Sequence, residues 1–292
     1  MKNIKTLLLF ASVLLIASCS SDDDNTPSTP MSTLTVNLFG IAPLEGDVIY
    51  EGWVMVDGSP VSTGRFNTTS ANNITKTFRV PTAELDVATA FILSIEPKTN
   101  DDPAPSNTKI MSGDFIGNSN AATLNIENQF SGILGITGKF ILATPTDAVA
   151  DNDEFGVWFM NPPNAGLTNL PTLASGWKYE GWVDINGTAI STGKFTNANS
   201  SDESSFFSGN ETAPSFPGED FLATGVPIDG ITFPIDLRNQ KVVVSIEPHP
   251  DNSASPFYLK PLTANTNTAI GGSNVYSMTL NNASFPSGLA VK

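Results

Sequence analysis

The sequence predicts an all-β protein built as two tandem antiparallel β-sandwich-like domains. Three observations carry that expectation. A 17-residue stretch occurs twice, at residues 50–66 (YEGWVMVDGSPVSTGRF) and 179–195 (YEGWVDINGTAISTGKF), with ten positions identical and five of the other seven exchanged like for like. Chance does not produce such a match, so an internal duplication sets the architecture. The composition is that of short strands joined by turns: 18 Phe with many Val, Ile and Thr, 23 Gly, 21 Pro, and only 15% charged residues. No convincing amphipathic helix follows the first 18 residues.

Residues 1–18 read as a secretory signal peptide. Lys2 and Lys5 precede an apolar run over 7–17, which is too short to span a bilayer that needs roughly 20 apolar residues. The run ends in Leu15-Ile16-Ala17-Ser18-Cys19, which resembles a bacterial lipobox and implies cleavage before Cys19 and acylation of that residue. Cys19 is the single cysteine, so no disulfide forms within the chain. Residues 19–31 form an acidic, Pro/Ser/Thr tether whose Asp22-Asp23-Asp24 resembles the surface-export signal of Bacteroidetes lipoproteins. The expected address is the outer membrane, held by the lipid on Cys19 and exposed at the cell surface.

The net charge of −15, from 14 basic against 29 acidic residues, disfavours nucleic acid as a partner. The mature chain is long enough for two cores, and the duplication divides it into domains at 32–145 and 146–292. Strands at 133–136 and 139–145 are expected to end the first domain, and one at 155–160 to open the second.

Within each copy, Asp57-Gly58 and Asn186-Gly187 mark a two-residue hairpin turn. A regular hairpin sets Val56 opposite Ser59, Val54 opposite Val61, Tyr50 opposite Arg65 and Tyr179 opposite Lys194. Alternation then assigns Val54, Val56 and Val61, with Val183, Ile185 and Ile190, to the core. Glu51 and Trp53, with Glu180 and Trp182, share the other face and form the candidate contact surface, since a tryptophan beside a glutamate stacks on a sugar ring or a partner side chain. Coverage of each tryptophan by a loop is the competing expectation.

A second match pairs 91–97 (FILSIEP) with 242–248 (VVVSIEP), each followed by a polar, Pro-rich loop. A third pairs 123–132 with 279–288. The spacing between copies is 129 residues at Tyr50/Tyr179 but 151 at Ser94/Ser245, so the second copy carries about 22 extra residues within 197–239. That insert either carries function or packs its own Phe206, Phe207, Phe216, Phe221 and Phe233.

The pattern of Tyr50, Trp53, Gly58, Ser62, Gly64, Phe66 and Ser94 to Pro97 is similar to the extracytoplasmic C-terminal domain of anti-sigma-K factors. Its repeat is Tyr179, Trp182, Gly187, Ser191, Gly193, Phe195 and Ser245 to Pro248. The resemblance covers about two thirds of the mature chain and implies a β-rich extracytoplasmic sensory or scaffold domain. The sigma-binding domain of that family and the His/Cys zinc pattern of many of its members have no counterpart in the sequence.

Catalytic signals are weak. His249, the single histidine, sits between two prolines without a nucleophile elbow. A zinc site of ordinary type lacks ligands, and no phosphate-cradling glycine loop precedes a helix. Asp151-Asn152-Asp153-Glu154 faintly resembles a calcium loop; it, Asp101-Asp102 and Glu219-Asp220 are expected to be solvated turn acids. The reading is a non-enzymatic binding, scaffold or sensory lipoprotein without cofactor or metal, with an envelope protein or a glycan as partner. The alternative is a glycan-binding or glycan-cleaving surface lipoprotein.

Overall fold

Each repeat begins its sheet with the hairpin that its Asx-Gly pair dictates. Asp57 and Gly58 have φ of 49° and 78°, and Asn186 and Gly187 have 53° and 89°, the left-handed pair that matches a two-residue turn to strand twist. The computed structural model describes residues 28–292 except 71–72, 118, 150, 227, 229 and 251–252. The signal, Cys19 and most of the tether lie outside the described residues.

The chain is nearly all β, as the sequence predicts. The strands are β1 (Met31–Phe39), β2 (Val48–Val56), β3 (Ser59–Phe66), β4 (Ile74–Pro81), β5 (Ala90–Pro97), β6 (Lys109–Asp114), β7 (Ala121–Asn125), β8 (Gly138–Leu142) and β9 (Gly156–Trp158). A small hairpin, β10 (Met160–Asn161) with β11 (Asn164–Ala165), precedes β12 (Trp177–Ile185) and β13 (Thr188–Phe195). Then come β14 (Gly218–Asp220), β15 (Lys241–Pro248), β16 (Leu262–Asn265), β17 (Tyr276–Leu280) and β18 (Ser287–Val291). One short helix, α1 (Thr82–Val87), joins β4 to β5.

Two antiparallel eight-stranded sheets result. One runs β3-β2-β5-β6-β7-β18-β1-β4 and the other β13-β12-β15-β16-β17-β8-β9-β14. Each curls until its outer strands meet, giving two nearly closed barrel- or sandwich-like halves. Phe66 on β3 lies 6.0 Å from Phe78 on β4, ring centre to ring centre, and closes the first.

Strand membership departs from the expected boundary in two places. β8, expected to end the first domain, pairs with β17 and β9 in the second sheet. β18, at the C-terminus, pairs with β7 and β1 in the first. The 133–136 segment is a 3-10 turn (Ile133–Gly135) rather than a strand. Its apolar residues explain the crossing: Phe130, Ile133 and Ile136 are buried, and the Phe130 ring meets Trp177 of the second half edge-on at 5.3 Å. The connector is thus pulled through the seam between the halves and delivers β8 beyond it.

The hairpin register also differs from the regular one. Val56 faces Ser59 and Val54 faces Val61, but Tyr50 faces Phe66 and Glu51 faces Arg65. A bulge inserts Thr63 as an extra residue, and Gly64 takes φ of 132° to accommodate it. The second copy repeats the device with Thr192 and Gly193 (φ 125°), so Tyr179 faces Phe195 and Glu180 faces Lys194. Glycine is also required opposite the bulge. A Cβ on Gly52 would stand 2.6 Å from Thr63 Oγ1, and one on Gly181 would stand 2.2 Å from Thr192 Oγ1.

The bulge brings Tyr50 onto Phe66 and Tyr179 onto Phe195, each pair stacked at 5.6 Å. Both phenols are buried and each donates to a carbonyl eight residues upstream, Tyr50 to Ala42 (2.7 Å) and Tyr179 to Pro171 (2.8 Å). Burial pushes both phenols well above the usual tyrosine range. One continuous apolar core runs through both halves.

Candidate functional site

The residues predicted to form a contact surface lie inside. Trp53 and Trp182 are each 2% exposed, Glu51 3% and Glu180 4%. The alternation argument places them correctly on the face away from Val54 and Val183, but that face is covered as well. The segment that follows each Glu-Pro strand is tied to the tryptophan on this face.

A relay of hydrogen bonds fixes each loop. Trp53 Nε1 donates to Ser94 Oγ at 2.8 Å, the Ser94 hydroxyl donates to Glu96, and Glu96 accepts the backbone N–H of Ser106 at 2.9 Å. In the second copy Trp182 Nε1 donates to Ser245 Oγ at 2.8 Å, Ser245 to Glu247, and Glu247 accepts from the N–H of Phe257 at 2.9 Å. Each glutamate reaches ten residues ahead and is at most 1% exposed. The Ser-Ile-Glu-Pro motif is therefore a buried polar clamp. A buried carboxylate of this kind must be saturated with donors, because unpaired it costs several kcal/mol.

Around the bulge the glutamate of each copy accepts a serine hydroxyl and faces a cation. In the first, Glu51 accepts from Ser62 and from Arg65 Nε (2.6 Å), while the Arg65 guanidinium also pairs with Asp101 and donates to the Pro97 carbonyl at 3.1 Å. Arg65 thus straps the loop to the sheet. In the second, Ser191 donates to Glu180 at 2.5 Å, and Lys194 Nζ stands 3.8 Å from Glu180 Oε2. A cleft of about 430 Å³ opens there, lined by Glu180, Ser191, Lys194, Glu203, His249 and Ser253. His249 is exposed in the loop, and its backbone N–H donates to the Gly176 carbonyl at 2.7 Å.

Beside this cleft the insert brings acids into the interior. Glu219 and Asp220 on β14, expected to be solvated, are both 0% exposed. Asp220 accepts from Trp158 Nε1 (2.6 Å), from the Thr146 N–H (2.7 Å) and from the Thr146 hydroxyl. Glu219 accepts from the Ser208 and Ser204 hydroxyls. Asp202, half-buried, accepts the N–H groups of Gly218 (2.7 Å) and Ser204 (2.9 Å). Burial pushes the Asp202 carboxyl up to about 7, against which the two N–H donors work, while the neighbouring Glu219 and Glu203 push it further up. Burial likewise raises Glu219 and Asp220 above the usual carboxylate range.

The remaining insert packs on itself. Phe207, Phe221 and Phe233 form a stack with centroids 4.8–6.3 Å apart, whereas Phe206 stands 66% exposed. A second groove, of about 660 Å³, flanks the start of the insert, lined largely by amides and hydroxyls that include Asn164, Thr168, Asn169, Asn197 and Asn199.

Asp101, also expected to be solvated, is largely withdrawn from solvent, its side chain 11% exposed. Asp101 pairs with Arg65, Asp102 accepts the Ala104 N–H (2.9 Å), and Asp153 accepts the Thr144 N–H (3.2 Å). Among the described residues no group of three His, Cys, Asp or Glu is placed to hold a metal ion. Nor is any described helix long and apolar enough to cross a membrane. No family model, no curated protein and no solved structure matches the chain.

Sequence reasoning missed the buried acids. Their only local signal is the Gly218-Glu-Asp-Phe221 order, charged residues enclosed by a glycine and an aromatic within a Phe- and Ser-rich insert.

Proposed function

We propose that this protein is a non-enzymatic cell-envelope lipoprotein, acylated on Cys19 and displayed at the outer-membrane surface. It binds an envelope partner protein through the insert-bearing face of its second half. One observation supports this reading above the others. The hairpin and the tryptophan–serine–glutamate clamp recur in both copies, and the second copy carries a polar cleft lined by Glu180, Lys194, Glu203 and His249 beside its insert. Loop elaboration on a rigid β scaffold is how such folds acquire binding sites. The resemblance to the anti-sigma-K extracytoplasmic domain fits an exported sensory or scaffold module used without a sigma-binding domain.

A photo-crosslinking residue at exposed Ser205, beside the cleft, tests the reading against one at exposed Thr99 on the first half. The expected result is a discrete protein adduct from Ser205 and none from Thr99, with silence on a glycan array and in a glycan-hydrolysis assay. Equal adducts from both positions overturn it. Cys19→Ala is expected to abolish acyl labelling and release the protein from membranes; retained labelling overturns the anchor.

A second reading, surface glycan binding, is favoured by the groove lined with Asn164, Asn169, Asn197 and Asn199, whose amides complement sugar hydroxyls. A glycan whose binding is weakened by Asn169→Ala or Asn197→Ala supports it. The buried Trp53 and Trp182 take no part.

A further inference from the structure

In chain order β8 follows β7, and β18 follows β17. In space each sits in the opposite sheet. β8 lies between β17 and β9, while β18 lies between β7 and β1. The two positions are equivalent: the hairpin strands, the Ser-Ile-Glu-Pro strands β5 and β15, and the Thr-Leu-Asn strands β7 and β17 occupy the same places in the two sheets. Each repeat therefore hands its last strand to the other.

We propose that the two copies are mutual strand donors, so that the first half closes only when the C-terminal strand Ser287–Val291 docks. The molecule then folds and unfolds as one unit rather than as two beads on a string.

The donated strands are joints, not decoration. Without β18 the first sheet separates into a five-stranded piece, β3-β2-β5-β6-β7, and the pair β1-β4. β18 pairs five residues with β1 (Thr35↔Val291 through Phe39↔Ser287) and five with β7 (Asn125↔Ser287 through Ala121↔Val291). Without β8 the second sheet separates likewise into β13-β12-β15-β16-β17 and β9-β14. The freed edges would expose unpaired backbone groups beside Val36, Leu38, Ala122 and Leu124, all 0% exposed.

Both donated strands enter through a closely packed glycine, Gly138 against side chains and Gly288 against backbone. A Cβ on Gly138 would stand 2.9 Å from Leu262 Cδ1 and Met278 Sδ, and one on Gly288 would stand 2.7 Å from the Asn37 carbonyl oxygen. Ala290 of β18 is 0% exposed, as are Phe140 and Leu142 of β8. The donated segments are built for the foreign sheet.

Hydrogen–deuterium exchange on the full folded chain tests the proposal. Ala290→Glu forces a charge into a closed site. It is expected to raise exchange about tenfold in peptides covering 31–39 and 121–125, more than in 276–280, the strand that precedes it in the chain. Phe140→Ala is expected to do the reverse, loosening 276–280 and 156–158 more than 121–125. Effects confined to each variant's own repeat overturn the exchange.

Should Ala290→Glu fail to fold, Thr35→Cys with Val291→Cys in a Cys19→Ala background replaces it, since these residues are register partners on β1 and β18. The expected result is a spontaneous disulfide in the oxidised, folded protein and a single unfolding transition at higher Tm. Free thiols in a folded protein, or two separate transitions, overturn the proposal.

Discussion

The lines along which the two sheets close, β3 against β4 and β13 against β14, are the same place in the repeat made from opposite materials. In the first half, Phe66 and Phe78 seal the line, and the nearest atom to a Cβ on Gly64 would be the Phe78 ring at 3.3 Å. In the second half, β14 has three residues where β4 has eight, and the position over Gly193 is taken by the Asp202 carboxylate. Apolar closure needs only area and shape. Polar closure needs a donor for every acceptor, and the serines of the insert supply them. Duplication thus preserved the clamp, where burial leaves no freedom, and changed the closing line, where an insert brings its own partners.

The largest effect that sharpens this comparison comes from the clamp. Glu96→Ala and Glu247→Ala each strand a serine hydroxyl and a loop N–H. Urea denaturation is expected to show a loss of about 3 kcal/mol for each, equal within error. Unequal losses would break the equivalence of the two frames.

Next is Arg65→Ala, which leaves Glu51, 4% exposed at its side chain, without its cation. It is expected to cost about 2 kcal/mol and to loosen residues 98–106 in hydrogen exchange. Protection unchanged in that loop would show that Arg65 is no strap.

A smaller effect distinguishes the closing lines by pH. The Asp202 carboxyl holds its proton up to about 7 when folded and to 3.8 ordinarily, so the native state binds more protons between those values. Stability contributed by neutral Asp202 is full below the ordinary value and is lost as pH rises through the folded one. Asp202→Asn cannot ionise and keeps one of the two acceptor oxygens that Gly218 and Ser204 use, the other being replaced by an amide NH2. Its stability relative to the parent is expected to rise by on the order of 1–2 kcal/mol from pH 4 to pH 8, whatever the offset the lost acceptor sets at pH 4. Equal pH profiles for parent and variant would remove Asp202 from the account.

The mildest test needs no variant. Trp53, Trp158, Trp177 and Trp182 are all 2% exposed, so emission is expected to be blue-shifted and resistant to an aqueous quencher. Red-shifted, quenchable emission would return the tryptophans to the surface.

Much of the fold was legible because period and turn chemistry are local. Asp57-Gly58 and Asn186-Gly187 located both hairpins, and the apolar alternation of 91–95 placed Phe91, Leu93 and Ile95 in the core. The bulge was not legible, because Ser-Thr-Gly is compatible with an unbroken strand; only the Thr–Gly crowding across β2 and β3 reveals the extra residue. The crossing of β8 and β18 was hidden for a different reason. An apolar strand of five residues fits either sheet, and the choice rests on Phe130 finding Trp177 across the seam. The burial of Trp53 and Trp182 involves residues distant in the chain, Ser94 and Ser245 among them, which alternation within one strand does not report.

Both ends of the described chain meet at α1. The Pro30 carbonyl accepts the Thr82 N–H at 2.9 Å, and Lys292 Nζ donates to the carbonyls of Asp86 (3.2 Å) and Ala88 (2.8 Å). Traction applied through the N-terminal side enters β1, which is zipped on one flank to β4 and on the other to the C-terminal strand. Because those ladders run across the pulling direction, the load is shared by many bonds at once instead of peeling them singly. The strand Ser287–Val291, farthest from β1 in sequence, thereby shares any load that β1 takes up.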